Sequence, residues 1–253
     1  MMMKRMLILV TVLCLILATI PASMAKSEHL GPYNGWVNAD SPFYGFKIFL
    51  QDLDESFAGN SNIKLQRQLN HADERLAEAN SMLNANNTGP MEAALNEYRK
   101  KLDDINKTME SGEIDDDDYA DAGPRLETHR NTFMYMINNS SVDEGLKNRW
   151  TNTFTYCESF MNGKPFVYDE ANDTLLFLPP GEMKKIMSAV NGSLPKKYAK
   201  KGYLHIPGVG DCNCTGEEFS YEYLYNWASE KKGPHGSIKV DNGTNGSNGA
   251  KKQ

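Results

Sequence analysis

The sequence predicts a mainly α protein: an antiparallel helical bundle of about four long helices plus a short aromatic N-terminal helix, with a small α+β region at the C-terminal end. Three observations predict it. Apolar residues recur at four-three spacing through successive segments between Leu65 and Met136, the signature of helices with one buried stripe. The breaks between these segments are short and rich in Gly and Asn, such as 84–90, so neighbouring helices pack antiparallel. After Gly163 the period shortens to that of strands.

The chain opens with Lys4 and Arg5, an apolar run from Met6 to Ile20, then Pro21 and Ser23-Met24-Ala25. This is the pattern of a signal peptide over 1–25, with cleavage after Ala25. The apolar run falls short of the roughly 20 residues a membrane span needs, so contact with a membrane is expected only through an uncleaved signal segment. Residues 26–39 lack periodicity and predict a flexible lead.

The helical bundle is expected over 40–162. Ser41 predicts an N-cap with Pro42 at the first helical position, starting a helix that ends at Ala58-Gly59-Asn60. Phe43, Phe46, Ile48, Phe49, Leu53 and Phe57 form its aromatic face, which should be covered by the helices that follow. On that expectation Phe43→Ala or Phe46→Ala destabilises the fold by about 3–5 kcal/mol. Leu65, Leu69, Ala72, Leu76, Ala79 and Leu83 mark a long helix, with Lys64, Arg67, Asp73, Glu74, Arg75 and Glu78 read as its solvated side. Met91, Leu95, Tyr98, Leu102, Ile105 and Met109 mark the next. After Asp115–Asp118, a third stripe of Tyr119, Ala122, Leu126, His129, Phe133 and Met136 is interrupted by Pro124, where the helix either kinks or restarts. Ser141 and Glu144 read as a capping box for a last helix carrying Leu146, Trp150, Thr153 and Cys157 inward.

Residues 163–232 predict the α+β region: a hairpin around 169–173, a small helix from Glu182, and a C-terminal helix with a Phe219, Tyr223 and Trp227 stripe. Residues 233–253 are too poor in apolar groups to offset their ordering entropy and predict a disordered tail.

Two stretches resemble a known family. Asp40-Ser41-Pro42-Phe43-Tyr44-Gly45-Phe46-Lys47 and His71-Ala72-Asp73-Glu74-Arg75-Leu76-Ala77-Glu78-Ala79 are similar to the motifs of domain-of-unknown-function family 5667, exported helical domains of archaea and some bacteria. Its members start with a Ser-Pro-aromatic-Tyr-x-x-Lys helix and continue into Glu-Arg-Leu-x-Glu. The resemblance covers about 38–136 and implies an exported helical module; it implies no activity.

The whole chain carries a formal charge of −6 and no basic stripe with interleaved aromatics, which argues against nucleic acid as a partner. Asn-x-Ser/Thr sequons at Asn86, Asn106, Asn138, Asn139, Asn172, Asn191, Asn213, Asn242 and Asn245 fit a glycoprotein of an exported surface. Past the signal segment the cysteines are Cys157, Cys212 and Cys214, and an oxidising compartment predicts one disulfide, from Cys157 to Cys212 or Cys214, ahead of a Cys212–Cys214 bridge that would close a tight, strained ring. The competing reading joins Cys157, His205, Cys212 and Cys214 as a metal or small-ligand group, although Cys-x-Cys is tight for zinc. The acidic run Asp115–Asp118 lacks calcium-loop spacing and suits a helix N-terminus. His129 lies on an apolar stripe, the place of a hydrogen-bonded core histidine. No nucleophile elbow, phosphate loop or His-Glu-x-x-His helix occurs. The expectation is a non-enzymatic module, without cofactor, for protein interaction or structural support at the cell surface, its partner an unknown envelope or surface protein and its oligomeric state open.

Overall fold

The computed structural model describes residues 29–139, 144–169, 174–188, 202–207 and 210–213. The signal segment, most of Ser141-Val142-Asp143-Glu144, the expected C-terminal helix and the tail lie outside these residues.

The protein is mainly helical. Helix α1 (Tyr44–Ser56) is followed by the long helices α2 (Ser61–Asn84), α3 (Thr88–Glu110), α4 (Asp116–Asn139) and α5 (Glu144–Asn162). Then come β1 (Phe166–Asp169), β2 (Thr174–Phe177), the short helix α6 (Pro180–Ser188), β3 (Gly202–Ile206) and β4 (Gly210–Asn213). Among the described residues no helix is long and apolar enough to cross a membrane.

The four long helices close a square in which α2 packs on α3, α3 on α5, α5 on α4, and α4 back on α2. The predicted stripes fill it: Leu65, Leu69, Leu76, Met91, Tyr98, Leu102, Ile105, Leu126 and Phe133 are buried. Trp150 of α5 completes the centre, its indole Nε1 donating to the Met91 sulfur at 3.2 Å and its ring edge-on to Phe133. Asn60 caps α2, its side chain accepting from the Ile63 N–H at 2.8 Å. Pro124 neither breaks nor restarts α4, which runs through it. Asp116, Asp117 and Asp118 fill the first turn of α4, where the helix dipole favours negative charge.

The cap of α1 differs from expectation. Ser41 forms a turn one residue early: its carbonyl accepts from the Tyr44 N–H at 3.0 Å and its hydroxyl from the Phe43 N–H at 3.2 Å. The helix therefore begins after Pro42. Residues 29–39, expected as a flexible lead, have no helix or strand but are pinned to the bundle. Leu30 is buried, its N–H donating to Thr132 Oγ1 and its carbonyl accepting from Asn80, and the Tyr33 N–H donates to Ser81 Oγ at 2.6 Å.

The predicted hairpin is present, and two further strands extend it to a four-stranded antiparallel sheet of order β2-β1-β3-β4. The sheet lies against α4, and Phe166, Leu175 and Phe177 join the bundle's own core. Gly123 permits that approach, because a Cβ there would stand 2.6 Å from the Leu175 carbonyl oxygen. Glu127 Oε2 accepts from the Leu175 N–H at 2.9 Å, so α4 occupies a ladder position of edge strand β2.

Candidate functional site: an ionic clasp beneath an outward aromatic stripe

Helix α1 lies on the bundle with its polar side in. This overturns the expectation that the aromatic face is covered, except at Ile48, which packs against the core. Phe43, Phe46, Phe49 and Phe57 are 65%, 55%, 58% and 75% exposed, and Leu53 is 40% exposed. Tyr44, Lys47, Gln51 and Glu55, spaced one helical turn apart, face α2 instead. The side of α2 expected to be solvated meets them: Arg75 and Glu78 are buried, and Glu74 is largely covered.

Glu78 is the centre of this clasp. One carboxylate oxygen accepts from Lys47 Nζ at 2.6 Å, and the other from Tyr44 OH at 3.0 Å and Arg75 Nη1 at 2.6 Å. Lys47 also reaches Glu74 at 2.9 Å and Tyr33 OH at 2.6 Å. Gln51 bridges Glu74 and Arg75. Burial opposes the charge on Lys47, but Glu74 and Glu78 outweigh it and hold the ammonium above its ordinary pKa. Burial lifts the Glu78 carboxyl and the Tyr44 phenol. A second knot lies one turn on: Glu55 accepts from Lys101 at 2.8 Å and contacts His71 Nδ1 at 2.6 Å, while Lys101 also pairs with Asp52 at 2.7 Å. Burial raises the Glu55 carboxyl less than His71 and Lys101 lower it.

Inside the bundle, Asp73 Oδ1 meets His129 Nε2 at 2.5 Å, His129 Nδ1 meets Tyr98 OH at 3.1 Å, and Tyr98 OH donates to Cys157 Sγ at 3.3 Å. Arg125 pairs with Asp73 from the rim. The row carries the residue types of a nucleophile, base and carboxylate but not their geometry. Tyr98 separates Cys157 from His129, all three side chains are fully buried, and burial pushes the Cys157 thiol up to about 12. A substrate cannot reach such a thiol, and a thiol so shifted is a poor nucleophile. His129 is thus the hydrogen-bonded core histidine its stripe position predicts.

Cys157 is a free thiol, so the bridge expected from it to Cys212 or Cys214 is not made; Cys214 lies outside the described residues. Of the four-residue metal group, the two members whose side chains are described, Cys157 and His205, do not come together. Cys157 is enclosed by helices, whereas His205 is on β3, bonded to Asp211 Oδ1 at 2.7 Å and to the Asn162 carbonyl at 3.1 Å. In the backbone register His205 stands opposite Asp211, and Cys212 opposite Leu204. Among the described residues no group of three or more His, Cys, Asp and Glu side chains could hold a metal. Of the sequons, Asn86 is exposed in the α2–α3 turn at φ +57°, and Asn138 is exposed near the end of α4. Asn106 is half-buried on α3, bonded to Glu110. Asn139 and Asn213 end α4 and β4, while Asn172, Asn191, Asn242 and Asn245 lie outside the described residues.

A cavity of about 570 Å³ opens between α4, α5 and the sheet. Its floor is two cross-strand ring pairs, Phe166 on His205 at 4.6 Å and Tyr168 on Tyr203 at 5.2 Å, and Arg130 and Glu158 pair at its edge. Sequence reasoning missed both this floor and the clasp. The signal for the clasp lay in the two motifs themselves, since Tyr44 and Lys47 of the first bind Glu74 and Glu78 of the second.

Neither the curated proteins nor the solved structures yield a match to this chain. The clasp, Tyr33 apart, and the three helices α2, α3 and α4 fall within residues 37–143, the segment that matches the family described as "Domain of unknown function (DUF5667)".

Proposed function

We propose that the protein is an exported, non-catalytic helical module for protein interaction or structural support at the extracytoplasmic surface, with α1 as its contact element. The observation that carries this reading is the inverted seating of α1. Charged groups are spent on docking the helix, and a contiguous row of phenylalanines is left facing water. Large exposed apolar patches are rare on proteins that work alone and mark contact sites. The N-terminal leader pattern and the sequons support an exported setting.

The test is radical footprinting of the stripe in intact cell envelopes and in dilute purified protein. Phe46 and Phe49 are expected to be protected in the envelope and reactive in dilution. Equal reactivity in both, or recovery of the protein from the cytoplasm alone, would refute the reading.

The alternative, small-ligand binding, now draws on the cavity floored by Phe166, Tyr168, Tyr203 and His205 rather than on the cysteines. Aromatic walls with a few convergent polar groups are the usual make-up of ligand sites. A screen of small saccharides and amines by thermal shift, with Tyr203→Ala as control, decides it: a hit lost in the variant supports the alternative.

A further inference from the structure

We infer that the occupant of the α1 stripe is a second copy of this chain, joined through antiparallel pairing of the two α1 helices about a two-fold axis near Leu50. This rests on the stripe being a contact face and names its partner.

Spacing is the first reason. Phe43, Phe46, Leu50, Leu53 and Phe57 follow one another at intervals of three, four, three and four residues. That is an a/d seam, and it points away from the bundle. Such a seam suits another helix packed knobs-into-holes, and an identical helix supplies a seam of the same length and shape. Area is the second. A phenylalanine offers on the order of 200 Å², so with the exposures above the row presents about 600 Å² of apolar surface per copy. That is most of the roughly 800 Å² which each partner of a stable interface of ordinary size buries.

Charge is the third reason. Helix α1 has no acidic residue in its first turn and no basic residue in its last. An antiparallel neighbour sets each helix end against the opposite dipole end of its partner. The same charges disfavour a lipid surface. Lys47 is the one basic residue of α1 and is held in the clasp, while Asp52 and Asp54 are about half exposed. Helices that lie on membranes carry Lys and Arg on their polar side.

The experiment uses the protein purified from an exporting host. Light scattering and sedimentation at 1–100 µM should give a concentration-dependent dimer, with Phe46→Glu/Phe49→Glu a monomer of unchanged circular dichroism. Under mild oxidation, Phe49→Cys should cross-link between copies above the parent background and Phe57→Cys should not, because antiparallel pairing carries the two end positions roughly 15 Å or more apart. A chain that stays monomeric through this range overturns the inference while leaving stripe protection in envelopes to stand or fall by itself. Monomers that bind phosphatidylcholine vesicles through the stripe also overturn it and assign the face to lipid. Equal cross-linking at both positions overturns the antiparallel arrangement.

Discussion

Glu78→Ala is the sharpest test of the clasp. The substitution strands Arg75, about 1% exposed, and removes one partner from Lys47 and the acceptor of the Tyr44 hydroxyl. Breaking a buried ion pair from one side typically costs about 3–5 kcal/mol, since the remaining charge stays out of water. Here the stranded cations keep some company: Lys47 retains Glu74 and Tyr33, and Arg75 retains Gln51. The lower part of the range, about 3 kcal/mol, is therefore expected. For a chain of this size that corresponds to a fall in melting temperature of about 10 °C. Urea titration and thermal melts at pH 7, followed by circular dichroism in dilute solution, measure both. Phe46→Ala is the companion variant; at an exposed position it should stay within about 0.5 kcal/mol of the parent, not the 3–5 kcal/mol of a buried aromatic face. A loss below about 1 kcal/mol in Glu78→Ala, together with a large loss in Phe46→Ala, would refute the inverted seating of α1.

Gly123→Ala should cost about 1–3 kcal/mol, because the new methyl must displace the backbone of β2; Gly181→Ala, with open space around it, serves as the control in the same urea titration. Acid should unfold the protein through its paired carboxylates. Burial raises Asp73 and Glu74 less than His129 and Arg125, and Lys47 and Arg75, lower them, and Glu55 is lowered likewise. Their stabilisation is present above the ordinary values of 3.8 and 4.5 and is lost as pH falls through the lower folded values. Glu78, shifted up, has the opposite sign and offsets part of this. Melting temperature should hold between pH 7 and 5 and drop below about 4, with a shallower drop in Asp73→Asn. Cys157 should resist a thiol reagent at pH 8 in the native protein and add one equivalent on unfolding in guanidinium, since its pKa stands at about 12.

The bundle was legible because its information is local. A stripe such as Leu65, Leu69, Ala72, Leu76 and Ala79 reports burial through spacing alone, and every one of those residues is fully buried. The seating of α1 was not legible, because spacing says which residues share a face and not which face turns inward. The usual inference that the apolar side faces the core fails when the helix meets a surface already lined with charge. Glu74, Arg75 and Glu78 flank the α2 seam and look like a wetted edge until a second helix brings Tyr44 and Lys47 over them. The Asp73, His129, Tyr98 and Cys157 row needed the register between α2, α3, α4 and α5, which no single stripe contains. Strands β3 and β4 are four or five residues long with glycines at their ends, too short for alternation to stand out from a loop.

The closed square of α2, α3, α4 and α5 also explains why α1 turns its aromatics outward. The segment that matches the family ends at residue 143, just before α5, and α2–α4 alone form three walls of a core. In this chain α5 is the fourth, bringing Leu146, Trp150, Thr153, Cys157 and Met161 inward. The Leu65, Leu69, Ala72, Leu76 and Ala79 seam of α2 is taken up by that closed core. What α2 offers to α1 is Glu74, Arg75 and Glu78, and burying them unpaired would cost several kcal/mol per ion. A helix bringing Lys47, Tyr44 and Gln51 satisfies those groups, whereas one bringing phenylalanines would strand them. The polar side of α1 is therefore the side that can bind, and the exposure of its aromatic side follows from the completeness of the bundle beneath it.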